Sequence, residues 1–434
     1  MIRFCRAPTG PSAGGRGTQV FMSEHDAIII GGGPAGSSAA IRLAESGLRV
    51  LLLEEKHLPR HKLCGEFITA ESFPTLRRHK VMERMLAAGA QKIGRLTLSV
   101  PTGRAVHMTV SEMSYESAWA MSLSRARFDK ILFDRAREAG ALCLEGVVVK
   151  GCSRDGSGAQ TVEALSLSDG KEITFRAPII IDASGRNSRL MVGRAERVGG
   201  RRGSRLYAMK AHLEGVEGIE DQVELYFFPQ GYGGLSRVED GLVNLCFIVN
   251  ERDVRSAEGD ASKVVERTVK HNSLARSRLS RFSVVGKWQT AGPLTFGTRR
   301  LSRGGIIAVG DASGMIDPFT GTGMQIALRT GEMAADSIIE TLGMSGNPQG
   351  AKELALDPST DNPLFVKALA LYRARYENEF GKRMRAAEVL RSVAFSPGSA
   401  NFFAGILARA PWLARLVLRS TRSGRPKNII EGSF

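Results

Sequence analysis

Gly31, Gly33 and Gly36 stand in the spacing GxGxxG, with Pro34 and Ala35 between the last two, and an acid, Glu54, follows about 20 residues on. Such glycines bind a pyrophosphate for mechanical reasons. The first permits a tight turn, the second lets the backbone approach the anion, and the third allows close packing of helix on strand. The helix N-terminus offers free N–H groups to the anion, and Glu54 would accept hydrogen bonds from a ribose diol. A lone GxGxxG can be no more than a glycine-rich turn, so the elements around it decide. Ala27 to Ile30 is an unbroken apolar run of the kind a parallel strand buried on both faces requires. Gly36, Ala40 and Leu43 then share one face of a predicted helix that Gly47 ends, and Val50 to Leu53 repeats the buried-strand pattern. Strand, glycine turn, helix and strand make one βαβ unit with the acid at its far end.

A second group of small residues lies far downstream. Ile306 to Val309 reads as another buried strand, ends in Gly310-Asp311, and leads to Gly321, Thr322 and Gly323 at the start of a helix. Asp311 would bind the hydroxyls of a ribityl chain. Gly321 to Gly323 would face a flavin ring, whose anionic reduced form the helix dipole stabilises. These later glycines separate a flavin from a nicotinamide dinucleotide, and the expected cofactor is FAD. Cys64, followed by Gly65 and Glu66, is the candidate reactive side chain; Arg60 and Lys62 would favour its thiolate if they are close in space. The alternative reading of Cys64 is a buried small apolar residue. Pro59 breaks the helical spacing that would align His57, His61 and Cys64, and no metal site is expected.

The 434 residues carry 60 Lys plus Arg against 44 Asp plus Glu, a formal net charge of +16, with 43% apolar and 24% charged residues. A folded chain of two or three domains is expected, and disordered and collagen-like classes are excluded. Cys5, Cys64, Cys143, Cys152 and Cys246 form no CxxC pair, which argues against a disulfide scaffold and for a reducing, cytoplasmic compartment. No run of roughly 18 apolar residues supports a spanning helix. Residues 1–21 lack the apolar block of a secretory signal and read as a flexible extension, with Met22 as an alternative start. Arginine clusters such as Arg194 to Arg205 come without aromatic interleaving, so a solvated basic face is expected and no specific nucleic-acid partner. Arg415, Arg419 and Arg422 share one face of a predicted C-terminal helix, a pattern that suits either an anionic membrane surface or packing on the protein.

Phe128, Ile131, Leu132, Arg135 and Ala139 predict a helix ending at Gly140, ahead of strand-like Ala141 to Leu144, and Ile179 to Ile181 is a further buried run. Leu206 to Leu213, Val223 to Phe228 and Leu242 to Val249 are strand-like stretches separated by turn residues, as in an antiparallel sheet. The expected architecture is α/β, and α+β overall. A Rossmann-like FAD-binding domain would use residues 22–70, 118–190 and 286–345, with a discontinuous antiparallel β-sheet substrate domain from 71–117 and 191–285. A C-terminal helical region would occupy 346–434.

The segments DAIIIGGGPAGSSAAIRLAESGLRVLLLEE, HKLCGEF, SRARFDKIL, IIDASGRNSRL and VGDASGMIDPFTGTGMQIAL carry a resemblance that runs from about Ser23 to about Ile339. On them the chain resembles the geranylgeranyl reductase superfamily of flavoproteins, related in fold to p-hydroxybenzoate hydroxylase and similar single-component monooxygenases. The resemblance implies that Gly31, Gly33, Gly36 and Glu54 hold the ADP half of FAD. It implies that Arg125 and Asp182 lie near the cofactor, that Asp311 serves the pyrophosphate-ribityl region, and that Gly321 and Gly323 lie near the isoalloxazine. By the same pattern Cys64-Gly65 lies near the flavin, and Tyr232, in Pro229-Gln230-Gly231-Tyr232, is a second candidate catalytic residue. Two departures stand out. Ser184 occupies the place of the second acid usual in aromatic hydroxylases, and the tryptophan that prenyl reductases carry after the Pro-x-Gly-Tyr element is replaced by Gly233-Gly234-Leu235-Ser236.

The expected function is that of an FAD-dependent oxidoreductase acting on a small apolar substrate. NAD(P)H is the expected transient reductant, since no second dinucleotide fingerprint is present. The missing tryptophan favours a monooxygenase (hydroxylase), with alkene reduction of an isoprenoid lipid as the alternative.

Overall fold

Four consecutive apolar residues without a polar face must be covered on both sides, and Ala27–Ile30 is wholly buried. The structure, a computed structural model, describes residues 19–20, 25–114, 116–154, 160–191, 205–298, 300–343 and 363–394. Ala27–Ile30 lies within a six-stranded sheet in the spatial order Ser302–Arg303, Ile306–Ala308, Ile179–Asp182, Ala27–Ile30, Val50–Glu54 and Leu142–Glu145. Every pairing is parallel except that of the edge strand Ser302–Arg303. The four buried runs expected from the sequence lie in this sheet, and the strand-like Ala141 to Leu144 supplies most of its partly exposed edge strand.

Its two faces have different covers. Ile29 and Leu52 pack with residues of the helices Pro34–Glu45, Arg125–Glu138 and Gly323–Thr341. Ile28, Ile30, Leu51 and Leu53 instead meet Val147, Val162 and Phe175 of a small antiparallel sheet, Val147–Arg154, Gln160–Ser166 and Glu172–Arg176. Sequence pattern did not reveal this second cover. Gln19–Val20, expected in a flexible extension, pairs in parallel with Ile173 and Thr174, because the open edge of that sheet offers unpaired backbone groups.

A seven-stranded sheet forms the second layer, in the order Ser283–Ala291, Leu206–Glu214, Val243–Asn250, Gly231–Arg237, Gln222–Phe228, Arg95–Ser99 and Ala105–Thr109. Met209, Ala211, Leu213, Leu245, Phe247 and Val249 point to a core shared with the helices Ala261–Arg267 and Ser273–Arg278. The alternate residues face the parallel-sheet domain. The expected boundary at 285/286 falls within a single strand of this sheet. Gly286 lies inside the strand Ser283–Ala291, where φ +78° and a register shift opposite Lys210/His212 let the chain bend without leaving the sheet.

The described part of the region expected from 346 packs on the parallel-sheet domain. The helix Pro363–Ala394 buries Ala368, Tyr372, Tyr376, Phe380 and Met384 in the same core as the helix Gly323–Thr341, and Tyr372 OH donates to Ala308 O at 2.9 Å. Arg415, Arg419 and Arg422 lie outside the described residues, as does the cluster Arg194 to Arg202. Among the described residues no helix is long and apolar enough to cross a membrane.

One polar group in this core has a measurable signature. His79 has no solvent exposure, its Nε2 lies 2.7 Å from Ser38 Oγ, and Ser38 Oγ donates to Leu328 O. Ser38 therefore accepts from His79 Nε2–H, and the ring is neutral. Burial pushes its pKa from 6.5 down to about 4. The unfolded chain takes up this proton first, so the stabilisation is complete above pH 6.5 and is lost as pH falls towards about 4. The full difference corresponds to about 3 kcal/mol. Urea unfolding at about pH 7.5 and about pH 5 should show lower stability at the acid end, with a smaller drop in His79→Gln. An undiminished drop in that variant would remove His79 from the account.

Candidate active site

The turn after Ala27–Ile30 starts the helix Pro34–Glu45, with Pro34 in its first turn. Gly31 adopts φ +108°, and a Cβ there would meet Ala183 O at 2.5 Å; at Gly36 it would meet Gly31 O at 1.9 Å. Packing requires both glycines. At Gly33 a Cβ would meet nothing closer than Arg125 Nη2 at 3.9 Å, and this N-cap makes no side-chain bond to the first-turn N–H groups. An open approach to a row of backbone donors at the positive end of a helix is a phosphate site. Ala35 is buried behind it, against Gly310, where an added Cβ would lie 2.9 Å from Ala35 Cβ.

Charge converges beside this turn. Glu54, buried at the end of Val50–Glu54, accepts Gly32 N–H at 2.8 Å and Lys56 N–H at 3.0 Å, and Arg60 donates to both its oxygens at 3.3 Å. Arg60 also donates to Asp129 Oδ2 at 2.6 Å, and Arg125 donates to the two Asp129 oxygens from Nε and Nη2, each at 2.7 Å. Burial works against the Asp129 carboxylate, yet Arg125, Arg60 and Lys62 hold its pKa below the usual range. Burial likewise works against the Arg125 charge, and Asp129, with Cys64 adding to it, raises its pKa. Lys62 keeps solvent contact inside a densely walled recess, where burial and then Arg125 and Arg60 lower its pKa. Arg60, Lys62 and Arg125 against Glu54 and Asp129 leave one positive charge in excess. That surplus and the backbone donors suit a pyrophosphate.

The remaining expected cofactor residues fall into two roles. Asp311 is half-buried at the turn after Ile306–Ala308, and Arg186 and Lys62 feel its charge. Gly321 turns at φ +66° against Phe67, Thr322 is the buried N-cap of Gly323–Thr341, and a Cβ at Gly323 would meet nothing within 4 Å. These border open space. Asp182 is fully buried: its Oδ1 accepts Ser184 N–H and Oγ–H at 2.9 and 2.6 Å, and Oδ2 accepts Ser188 Oγ–H. It shapes the turn that supports Gly31.

Cys64 is half-buried and accepts Glu66 N–H at 3.3 Å. The cation that reaches its side chain is Arg125, whereas Arg60, expected there from its nearness in sequence, is turned to Glu54 and Asp129. Tyr232 donates its hydroxyl to Asp317 Oδ1 at 2.5 Å and accepts Phe319 N–H at 3.0 Å. Burial, then Asp317, pushes its pKa up, so it ties the sheet to the loop before Gly321 and does not act as a ready acid. Around it Ala208 and Ile248 meet Leu63, Phe227, Phe296 and Phe319 in an apolar group between the two domains. Asp129, Glu66, Lys210, His212 and Asp317 escaped the sequence reading. Lys210 and His212 carried a signal: charged residues at alternate positions of an apolar strand share one face.

Comparison with known proteins agrees with this geometry. The FAD binding domain family matches residues 24–350. Digeranylgeranylglycerophospholipid reductase 2 of Methanopyrus kandleri is 28% identical over 84% of this chain and 85% of its own length. The 1H-pyrrole-2-carbonyl-[peptidyl-carrier protein] chlorinase of Pseudomonas fluorescens is 23% identical over 74% and 77%. The solved flavin-dependent brominase Bmp2 superposes with a TM-score of 0.72 at 20% identity, over 93% of this chain and 95% of its own. A geranylgeranyl bacteriochlorophyll reductase-like protein of Thermoplasma acidophilum does so at 0.64 and 19% identity, over 91% and 88%. An open glycine turn, uncapped helix N-termini and a surplus of positive charge fit an FAD pyrophosphate, and the chain belongs to the FAD binding domain family, as an FAD-dependent oxidoreductase.

Proposed function

We propose that the protein is an FAD-dependent reductase that saturates a carbon–carbon double bond in an apolar, isoprenoid-like small molecule. The observation that carries this reading is the thiol at the site. Cys64 lies beside Arg125, in the segment whose Phe67 meets the Gly321 turn, and electrostatically senses Cys246 on the facing sheet. Oxygen activation at a flavin generates a two-electron oxidant, and an accessible thiol beside a cation is the side chain such an oxidant consumes. Hydride chemistry leaves it intact.

The missing tryptophan, which favoured monooxygenation in the sequence reading, has a local cause. A Cβ at Gly233 would lie 2.5 Å from Phe247 Cβ, and one at Gly234 would lie 2.8 Å from Glu224 O. The strand admits only glycine at both positions. Phe227, Phe296 and Phe319 supply an apolar aromatic surface instead, which suits an isoprenoid chain. The Methanopyrus relative is by name a reductase of a lipid bearing such chains.

Bound FAD would supply the hydride, and the protein supplies position and exclusion of water. Gly33 and the first turn of its helix hold the pyrophosphate, and Arg125 and Lys62 balance its charge. Glu54 and Asp311 take the hydroxyls of the ribose and the ribityl chain. Tyr232, held by Asp317, braces the loop whose Phe319 joins the apolar group.

Two measurements test this. Gly33→Val fills the approach to the helix N-terminus and should weaken FAD binding at least about tenfold, about 1.4 kcal/mol, read as flavin absorbance retained after gel filtration. Full occupancy in that variant would refute the pyrophosphate placement. Secondly, the yellow holoenzyme, reduced anaerobically with NADPH or dithionite and mixed with oxygenated buffer, should reoxidise slowly and without a spectral intermediate. A transient species ahead of the oxidised spectrum would overturn the reductase reading and establish the monooxygenase one.

A further inference from the structure

Behind Cys64 lies a group of ionisable side chains that the chemistry above does not use. Glu66 has no solvent exposure and sits at φ +57°, where a non-glycine residue is strained. Its Oε2 lies 2.6 Å from His212 Nε2, and its Oε1 accepts Lys210 Nζ and, at 2.8 Å, the backbone N–H of Arg125. Lys210 is 1% and His212 8% exposed. Outside them His61 is exposed, and its ring meets that of His212 edge-on with centroids 5.3 Å apart. The other titratable groups facing the cluster are Arg125, Glu239, Cys64, and Cys246, the cross-strand partner of Lys210.

A buried carboxylate between two nitrogen bases is a weak device for stability, since apolar residues would join two domains as well. Connected to solvent through imidazoles, it is well suited to moving a proton. Burial, then His212 and Lys210, lowers the pKa of His61, which leaves its ring able to accept a proton from water. The inner end lies under the segment between Arg125, at the phosphate turn, and Phe67, at the Gly321 turn.

We infer that His61, His212, Glu66 and Lys210 form a proton relay that takes up a proton when the bound flavin is reduced and returns it to the site when the electrons leave. Two electrons and one proton, supplied as hydride by a nicotinamide dinucleotide, convert FAD to its reduced anion. The new negative charge draws a second proton from water into the relay. In alkene reduction the hydride bonds to one carbon, the π bond breaks, the relay's proton bonds to the other carbon, and FAD is regenerated. Only this last step rests on the reductase reading; proton uptake on reduction rests on FAD binding alone.

The test needs no substrate. The midpoint potential of the holoenzyme is followed from about pH 6 to about pH 8, where imidazoles titrate. One proton per two electrons gives a slope of about 30 mV per pH unit, and two give about 59 mV. The absorption of the reduced flavin separates its neutral from its anionic form and so counts the flavin's own protons. The expected wild-type slope exceeds that count and falls back to it in His212→Gln, while His61→Gln keeps the slope and slows proton uptake seen with an indicator dye. A wild-type slope equal to the flavin's own count overturns the relay even if His212→Gln fails to fold, and so does a His212→Gln slope unchanged from wild type.

Discussion

A single carboxylate with no access to water, Asp129, holds the site together. It sits one turn into the helix Arg125–Glu138, so Arg125 reaches it at i,i+4, while Arg60 comes from a loop 69 residues away in sequence. Taking Asp129 away would leave two guanidinium charges facing each other in the core, and while it is present neither guanidinium is free to wander. Each of them carries the constraint further. Arg60 fixes Glu54, and Glu54 fixes the N–H of Gly32 inside the phosphate turn. Arg125 flanks both Gly33 and Cys64, and its own backbone N–H reaches Glu66. The helix that presents Asp129 is anchored in turn to the larger sheet, because Ser124 N–H donates to Glu239 Oε2 at 2.9 Å.

The two domains are joined by polar bonds on either side of the apolar group between them. At one end Lys210, Asn244 and Ser236 donate to the carbonyls of Lys62, Cys64 and Gly65 at 3.4, 3.2 and 3.2 Å, so the sheet grips the backbone of the segment that carries the thiol. At the other end Tyr232 grips Asp317 and Phe319. Three carbonyl contacts within four residues of a loop specify its height above the sheet more tightly than apolar contact would, since hydrogen bonds weaken steeply with misalignment. Leu63, between the gripped residues, is left to the apolar group with Phe227 and Phe319.

What could be read in the sequence follows the range of the forces involved. The buried strands and the glycine turn are local: unbroken apolar runs and a helix-strand clearance of a few ångströms are written in neighbouring residues, and they led to the cofactor fold. Asp129, Glu66 and Lys210 owe their roles to partners 69 to 144 residues away, and no local pattern pairs a charge with so distant a counterion. The continuity of the strand through Gly286 has no local signature, because a glycine in a strand and a glycine in a turn are the same letter; only the register opposite Lys210 and His212 shows a bend. The helix Pro363–Ala394 did carry a signal, since Tyr372, Tyr376 and Phe380 repeat at i,i+4 on one face. Its arginines masked that stripe, because two of them, Arg375 and Arg383, lie beside it and reach across to Glu340 and Gln325 of the neighbouring helix.

The crowding at Gly233 and Gly234 also decides where selectivity can lie. Gly233 is crowded by Phe247 on the far face of the sheet and Gly234 by Glu224 O, so this strand meets the apolar group between the domains through Tyr232, with Phe227 and Ile248 of the adjacent strands beside it. Phe319 belongs to the loop braced by Tyr232, and Leu63 to the segment gripped through Lys62 and Cys64, so two side chains that the parallel-sheet domain adds to this group are held by the polar bonds at its ends. The apolar group and the segment that carries Cys64 are therefore placed by the same few hydrogen bonds, and a change in either loop would shift both together.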